Sequence, residues 1–134
     1  MVGHEIIDNQ HRTLMYMLNT LHKSISDGAE QSMLLRIFGQ FFRYLKFHFN
    51  EEEYCTVLID FNMWQANRRE HIEFMESLTS IMNKIYSGEI HISFAALRFV
   101  SDLYIEHIFM SDRSIVACLN KQFTPVNGQN KDTL

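Results

Sequence analysis

This sequence predicts an all-α protein, folded as an antiparallel up-down-up-down four-helix bundle. Three observations lead there. One proline and five glycines among 134 residues leave long stretches free of helix breakers. Apolar residues recur at three- and four-residue steps in four successive segments. The connections between those segments are short, which sets neighbouring helices antiparallel.

The first predicted helix runs from about Glu5 to about Ser26. Ile7, Leu14, Leu18 and Leu21 mark its apolar stripe, and His11 falls on the same stripe. Asp27-Gly28 ends it, glycine being the usual left-handed stop. The second runs from about Glu30 to about Leu58, with Ile37, Phe41, Tyr44, Leu45, His48 and Glu52 in phase. Asp60-Phe61-Asn62 reads as the turn that follows. The third runs from about Met63 to about Tyr86 and carries Asn67, His71, Phe74, Leu78 and Ile81; Ser87-Gly88 ends it. The fourth runs from about Ser93 to about Lys121, with Leu97, Val100, Leu103, His107, Asp112 and Ile115. Residues 1–122 therefore form the bundle. Residues 123–134 are polar with little to bury, and are expected to be a flexible tail or the start of a linker.

Composition narrows the function. At 134 residues the chain is one domain with room for a real core. A net charge of −4 and no basic stripe argue against nucleic acid as a partner. No apolar run is long enough to span a bilayer, and Met1-Val2-Gly3-His4-Glu5 lacks the features of a secretory signal. Cys55 and Cys118 make no disulfide framework and read as free thiols of a reducing compartment, which predicts a cytoplasmic protein. Eight methionines and eleven phenylalanines read as core packing and as an apolar sheath that limits water entry.

The chemistry lies in the histidines and carboxylates. His48 and Glu52 are four apart, so their side chains lie over one patch of helix surface. A metal held by that imidazole can share the carboxylate with a second metal. His107 and Asp112 are five apart, about 140° of rotation rather than 40°, a looser match to one face. With His11 and His71, every predicted helix directs a nitrogen or oxygen ligand inward, which describes a metal cage in a bundle core. Imidazole with carboxylate suits iron, zinc or manganese better than calcium or copper(I). Taken alone, any one histidine is a packed core residue, and Glu51-Glu52-Glu53 is a solvated acidic run. The coincidence across four helices carries the metal reading, because so many buried polar groups without a partner would be prohibitive. His4, His22 and His91 fall outside the pattern and read as surface residues.

These segments together resemble the hemerythrin family, especially bacterial hemerythrin-like domains. The resemblance rests on Ile7-Asp8-Asn9-Gln10-His11 with Leu14, on His48-Phe49-Asn50-Glu51-Glu52-Glu53, on Glu70-His71 with Phe74, and on His107-Ile108 with Asp112. It spans Gly3 to about Asn120. The resemblance implies a bundle holding two oxo- or hydroxo-bridged iron ions, with reversible dioxygen binding at one of them. It implies that His11 and His48 hold the dioxygen-binding iron, that His71 and His107 hold the other, and that Glu52 and Asp112 bridge the pair.

One position departs from the family pattern. Four residues before His71 the family has histidine, and here stands Asn67. An amide oxygen is a neutral, weaker ligand than imidazole. Asn67 coordinates weakly, or hydrogen-bonds to a water that fills the gap, or leaves that iron poorly bound. Glu70 is 100° from His71 around the helix and is expected to face solvent. Smaller departures are Phe61-Asn62 in place of a tyrosine-proline turn, Leu103 in place of tryptophan, and a short segment ahead of the first helix.

Losing an imidazole would open the second iron and speed oxidation. That moves the expectation from bulk oxygen transport toward a sensor of dioxygen, redox state or nitric oxide, with a signalling partner or attached domain. A plain oxygen or iron carrier, a peroxidase- or oxidase-like site and a metal-poor structural bundle are the alternatives. No nucleophile–base pair or acid–base dyad outside the cluster argues for other catalysis.

Overall fold

A computed structural model of the chain describes residues 5–57 and 59–107. Within them lie four α-helices: α1 Glu5–Ser26, α2 Gln31–Thr56, α3 Phe61–Tyr86 and α4 Phe94–His107. The helices form the antiparallel bundle that the spacing predicts, and there is no strand among the described residues. The expected continuation of the last helix to Lys121, Asp112 and the polar tail 123–134 lie outside the described residues.

Two of the stops are glycine caps of one kind. Gly28 has φ 77° and Gly88 has φ 80°, the left-handed region where a Cβ is penalised. After α1, Gly28 N donates to Ile25 O and Ala29 N donates to Ser24 O. After α3, Gly88 N donates to Ile85 O and Glu89 N to Lys84 O. The same paired bonds satisfy the last carbonyls of both helices, the Schellman arrangement.

The start of α3 corrects the sequence reading. Phe61 and Asn62 are helical, and only Asp60 lies outside as the N-cap. The Asp60 carboxylate accepts a hydrogen bond from Met63 N at 3.0 Å. That satisfies one of the first free amides and lets the helix begin two residues before Met63.

The core is contiguous. Leu14, Leu18 and Leu21 meet Leu34, Phe38, Phe41, Leu45 and Phe49, with Phe74, Leu78, Leu97, Val100 and Tyr104 closing it. The stripes sit partly askew of the sequence reading: Ile37, Tyr44 and Leu103 are only partly buried, while Phe38 and Tyr104 are almost fully enclosed. Gln31 ties α2 to the segment before α4. Its side-chain amide donates to Ile92 O at 3.0 Å and accepts from Ile92 N at 2.8 Å. At the other end a small cluster of Ile7 with Cys55, Ile59 and Met63 packs separately. Between the two apolar clusters the bundle interior turns polar.

Candidate metal centre

Each helix sends polar side chains into that interior. α1 supplies His11, α2 supplies His48 and Glu52, α3 supplies Asn67 and His71, and α4 supplies His107. All are buried; His11, His48 and Glu52 have no exposed surface. The four-residue step from His48 to Glu52, and from Asn67 to His71, puts each pair on one helical face. Burial of this many polar groups would cost several kcal/mol unless they share partners.

Glu52 is the centre of the arrangement. Its Oε2 lies 3.6 Å from Nε2 of His48. Its Oε1 lies 3.0 Å from Nε2 of His71 and 3.4 Å from Nε2 of His107. The two oxygens thus face different sets of imidazoles. His11, His48 and Glu52 form one group whose ligand atoms lie within 4.8 Å of one another, and Glu52, His71 and His107 form a second. Nitrogen and carboxylate oxygen donors in two clusters sharing one carboxylate fit divalent transition ions, and this donor set is the ground for placing metal here.

The outer nitrogens of two imidazoles are fixed. Nδ1 of His48 pairs with Oε1 of Gln10 at 2.7 Å. Nδ1 of His71 pairs with Oε2 of Glu53 at 2.8 Å. On its inner side, Nε2 of His71 is also 3.1 Å from Nδ2 of Asn67. Partners of this kind orient metal-binding imidazoles and set their tautomer. Aromatic rings pack the rest. Phe49 lies flat on His71, with centroids 3.9 Å apart and planes at 9°. Tyr104 meets His11 edge-on at 6.2 Å, and Phe74 meets His107 at 6.1 Å.

The acidic run Glu51-Glu52-Glu53 is not uniformly solvated. Glu52 is wholly buried and Glu53 only partly exposed. Burial pushes the Glu53 carboxyl above its ordinary range, against an opposing pull from Arg68. Glu53 and His71 also line a groove of about 1020 Å³ on the outer side of α2 and α3, together with Phe49, Arg68, Ile72 and Met75. Cys55 is a free, partly buried thiol, and burial followed by Glu51 and Glu52 raises its pKa.

The structure therefore brings together five of the six predicted ligands, His11, His48, Glu52, His71 and His107, and places Asn67 beside His71. Asp112 lies outside the described residues. Glu70, His22 and His91 are exposed, as expected, and His4 lies outside the described residues. Gln10, Glu53 and Tyr104 were not read from the sequence as site residues. A glutamine just before one histidine, and a glutamate eighteen residues before another, carry no periodic signal of their own.

Comparison with known proteins agrees with this geometry. Residues 2–119 match the family model described as Hemerythrin HHE cation binding domain. A bacteriohemerythrin of Methylococcus capsulatus is 26% identical over 113 residues, which cover 84% of this chain and 86% of that protein. A bacteriohemerythrin of Pseudomonas paraeruginosa is 25% identical over 87 residues, 65% of this chain and 56% of that protein. The crystal structure of a wild-type hemerythrin superposes with a TM-score of 0.80 at 25% identity, covering 88% of this chain and 90% of that one.

Proposed function

The chain belongs to the hemerythrin family, and from that premise we propose that it is a non-heme di-iron protein that binds dioxygen or a related small ligand, as an oxygen or redox sensor or carrier. The observation that carries the reading is the division of Glu52: one oxygen toward His48, the other toward His71 and His107. A carboxylate shared this way suits a pair of ions better than one. Reversible dioxygen binding is the chemistry that an iron pair supplies in such a pocket.

The protein's own part is to hold, orient and exclude water. His11 and His48 would hold one iron, His71 and His107 the other, with Glu52 bridging and Asp112 as the second bridge. Phe49, Phe74 and Tyr104 pack against the imidazoles and surround the polar centre with aromatic surface. Asn67 offers an amide where the family pattern has imidazole, so the second iron would be held by one strong donor fewer than in that pattern. That weakness favours sensing over bulk carriage, because a ligand set open to exchange can bias helix packing.

The deciding experiment counts and identifies metal in protein made in iron-rich medium, beside an Asn67→His variant. We expect iron in both, with stoichiometry nearer two per chain and a changed absorption spectrum in Asn67→His. Protein without bound transition metal would sink the reading. An unchanged stoichiometry and spectrum would remove the role given to Asn67.

A further inference from the structure

The two clusters around Glu52 are oriented by chemically different partners. In the first, Nδ1 of His48 meets a neutral amide, that of Gln10. In the second, Nδ1 of His71 meets a carboxylate, that of Glu53. Only the second cluster has Asn67, and the Asn67 amide nitrogen lies 3.1 Å from the opposite ring nitrogen of His71.

The Glu53 contact bears on the tautomer of His71. An amide N–H has a proton to give and none to take, so Asn67 Nδ2 beside Nε2 calls for a lone pair there. A carboxylate oxygen accepts, so Glu53 beside Nδ1 calls for an N–H. At Nε2 the amide of Asn67 and the carboxylate of Glu52, whose Oε1 is 3.0 Å away, pull in opposite directions. At Nδ1 the Glu53 contact is the one that favours the proton there, which leaves Nε2 as the nitrogen a metal would take. Phe49 stacked flat on the ring leaves it little freedom to turn. A carboxylate that accepts from Nδ1–H also raises the basicity of the imidazole as a ligand. An amide in the same place, as at His48, does so less.

We propose that Glu53 is a positioning residue of the second cluster: through Nδ1 it fixes His71 as an Nε2 donor and strengthens it where Asn67 replaces an imidazole. The inference rests on the metal-binding reading above and adds a residue outside the ligand set. Among the described residues Glu53 pairs with His71, whereas His48 pairs with Gln10.

Two measurements test this, the first without metal. In histidine-labelled apoprotein, long-range proton–nitrogen NMR reports the tautomer of each neutral imidazole. Wild type is expected to show His71 protonated on Nδ1. Glu53→Ala is expected to move His71 toward a mixture with the Nε2–H form and leave His48 unchanged. In the second, cobalt(II) is titrated against a chromophoric chelator. Glu53→Ala should weaken the weaker of the binding steps about 10- to 100-fold, the usual reach of such an outer partner. Glu53→Gln, which keeps an acceptor oxygen but no charge, should fall between. Adding Asn67→His to Glu53→Ala should recover part of the loss. Equal cobalt affinity in wild type and Glu53→Ala overturns the proposal, as does lost affinity with an unmoved His71 tautomer. Wild-type protein that takes up no cobalt overturns both this inference and the metal-binding reading, whereas a normal wild type beside an indifferent Glu53→Ala overturns this inference alone.

Discussion

The two clusters that share Glu52 differ in how their imidazoles are held. The first is wholly sealed: His11 and His48 have no exposed surface, and a neutral glutamine fixes His48. The second opens outward through Glu53, which both anchors His71 and lines the groove between α2 and α3. It also contains the amide of Asn67. One bundle thus presents a closed half with a neutral outer support and a half, equal in imidazoles, that adds an amide and has a charged outer support. The difference teaches that two clusters with the same imidazole count and a common carboxylate can still differ in the partners that stand behind their ligands.

The comparison breaks most completely at the residue common to both halves. Glu52→Gln keeps the volume but removes the charge shared by the clusters. We expect loss of metal from both, a larger effect than the roughly 10- to 100-fold of an outer-partner change, read by metal analysis after desalting. Next, His11→Ala and His71→Ala should each empty one half and spare the other, with the larger fall in stoichiometry for His11→Ala because the second half is already the weaker binder. Identical total loss in the two variants would show that the halves do not bind independently. A smaller effect is thermal. Divalent iron at about 100 times its dissociation constant should stabilise the fold by about 2.7 kcal/mol, and a chelator should reverse it; a melting temperature indifferent to metal would place the ions elsewhere. The smallest concerns Cys55. Its pKa is raised, so at a given pH less of it is the reactive thiolate. In a Cys118→Ser background, alkylation by iodoacetamide should be slower than for an unstructured peptide thiol and approach it only at more alkaline pH. Equal rates at neutral pH would show Cys55 unprotected.

Much of this could be read from the chain before folding. His11, His48, His71 and His107 fall on interior stripes because helical phase is a local property, and one sequence suffices to compute it. The glycine stops at Gly28 and Gly88 were equally legible, since the left-handed cap needs that residue. The start of α3 was not, because Asp60 can be a turn residue or a cap, and only the Met63 amide it accepts from distinguishes them. Nor was Glu53. It is 100° around the helix from Glu52, and whether that direction meets solvent or another helix depends on interhelical rotation, which spacing does not encode. Gln10 escaped for the same reason, and Tyr104 because its neighbour Leu103 fits the stripe equally well.

The Gln31 side chain grips both the N–H and the C=O of Ile92. It sits seventeen residues from His48 along α2, about 25 Å at 1.5 Å per residue. That grip works like the pivot of a pair of tongs. One side chain holding two backbone groups pins the start of α4 to the start of α2, at the end of the bundle remote from the histidines of the two clusters.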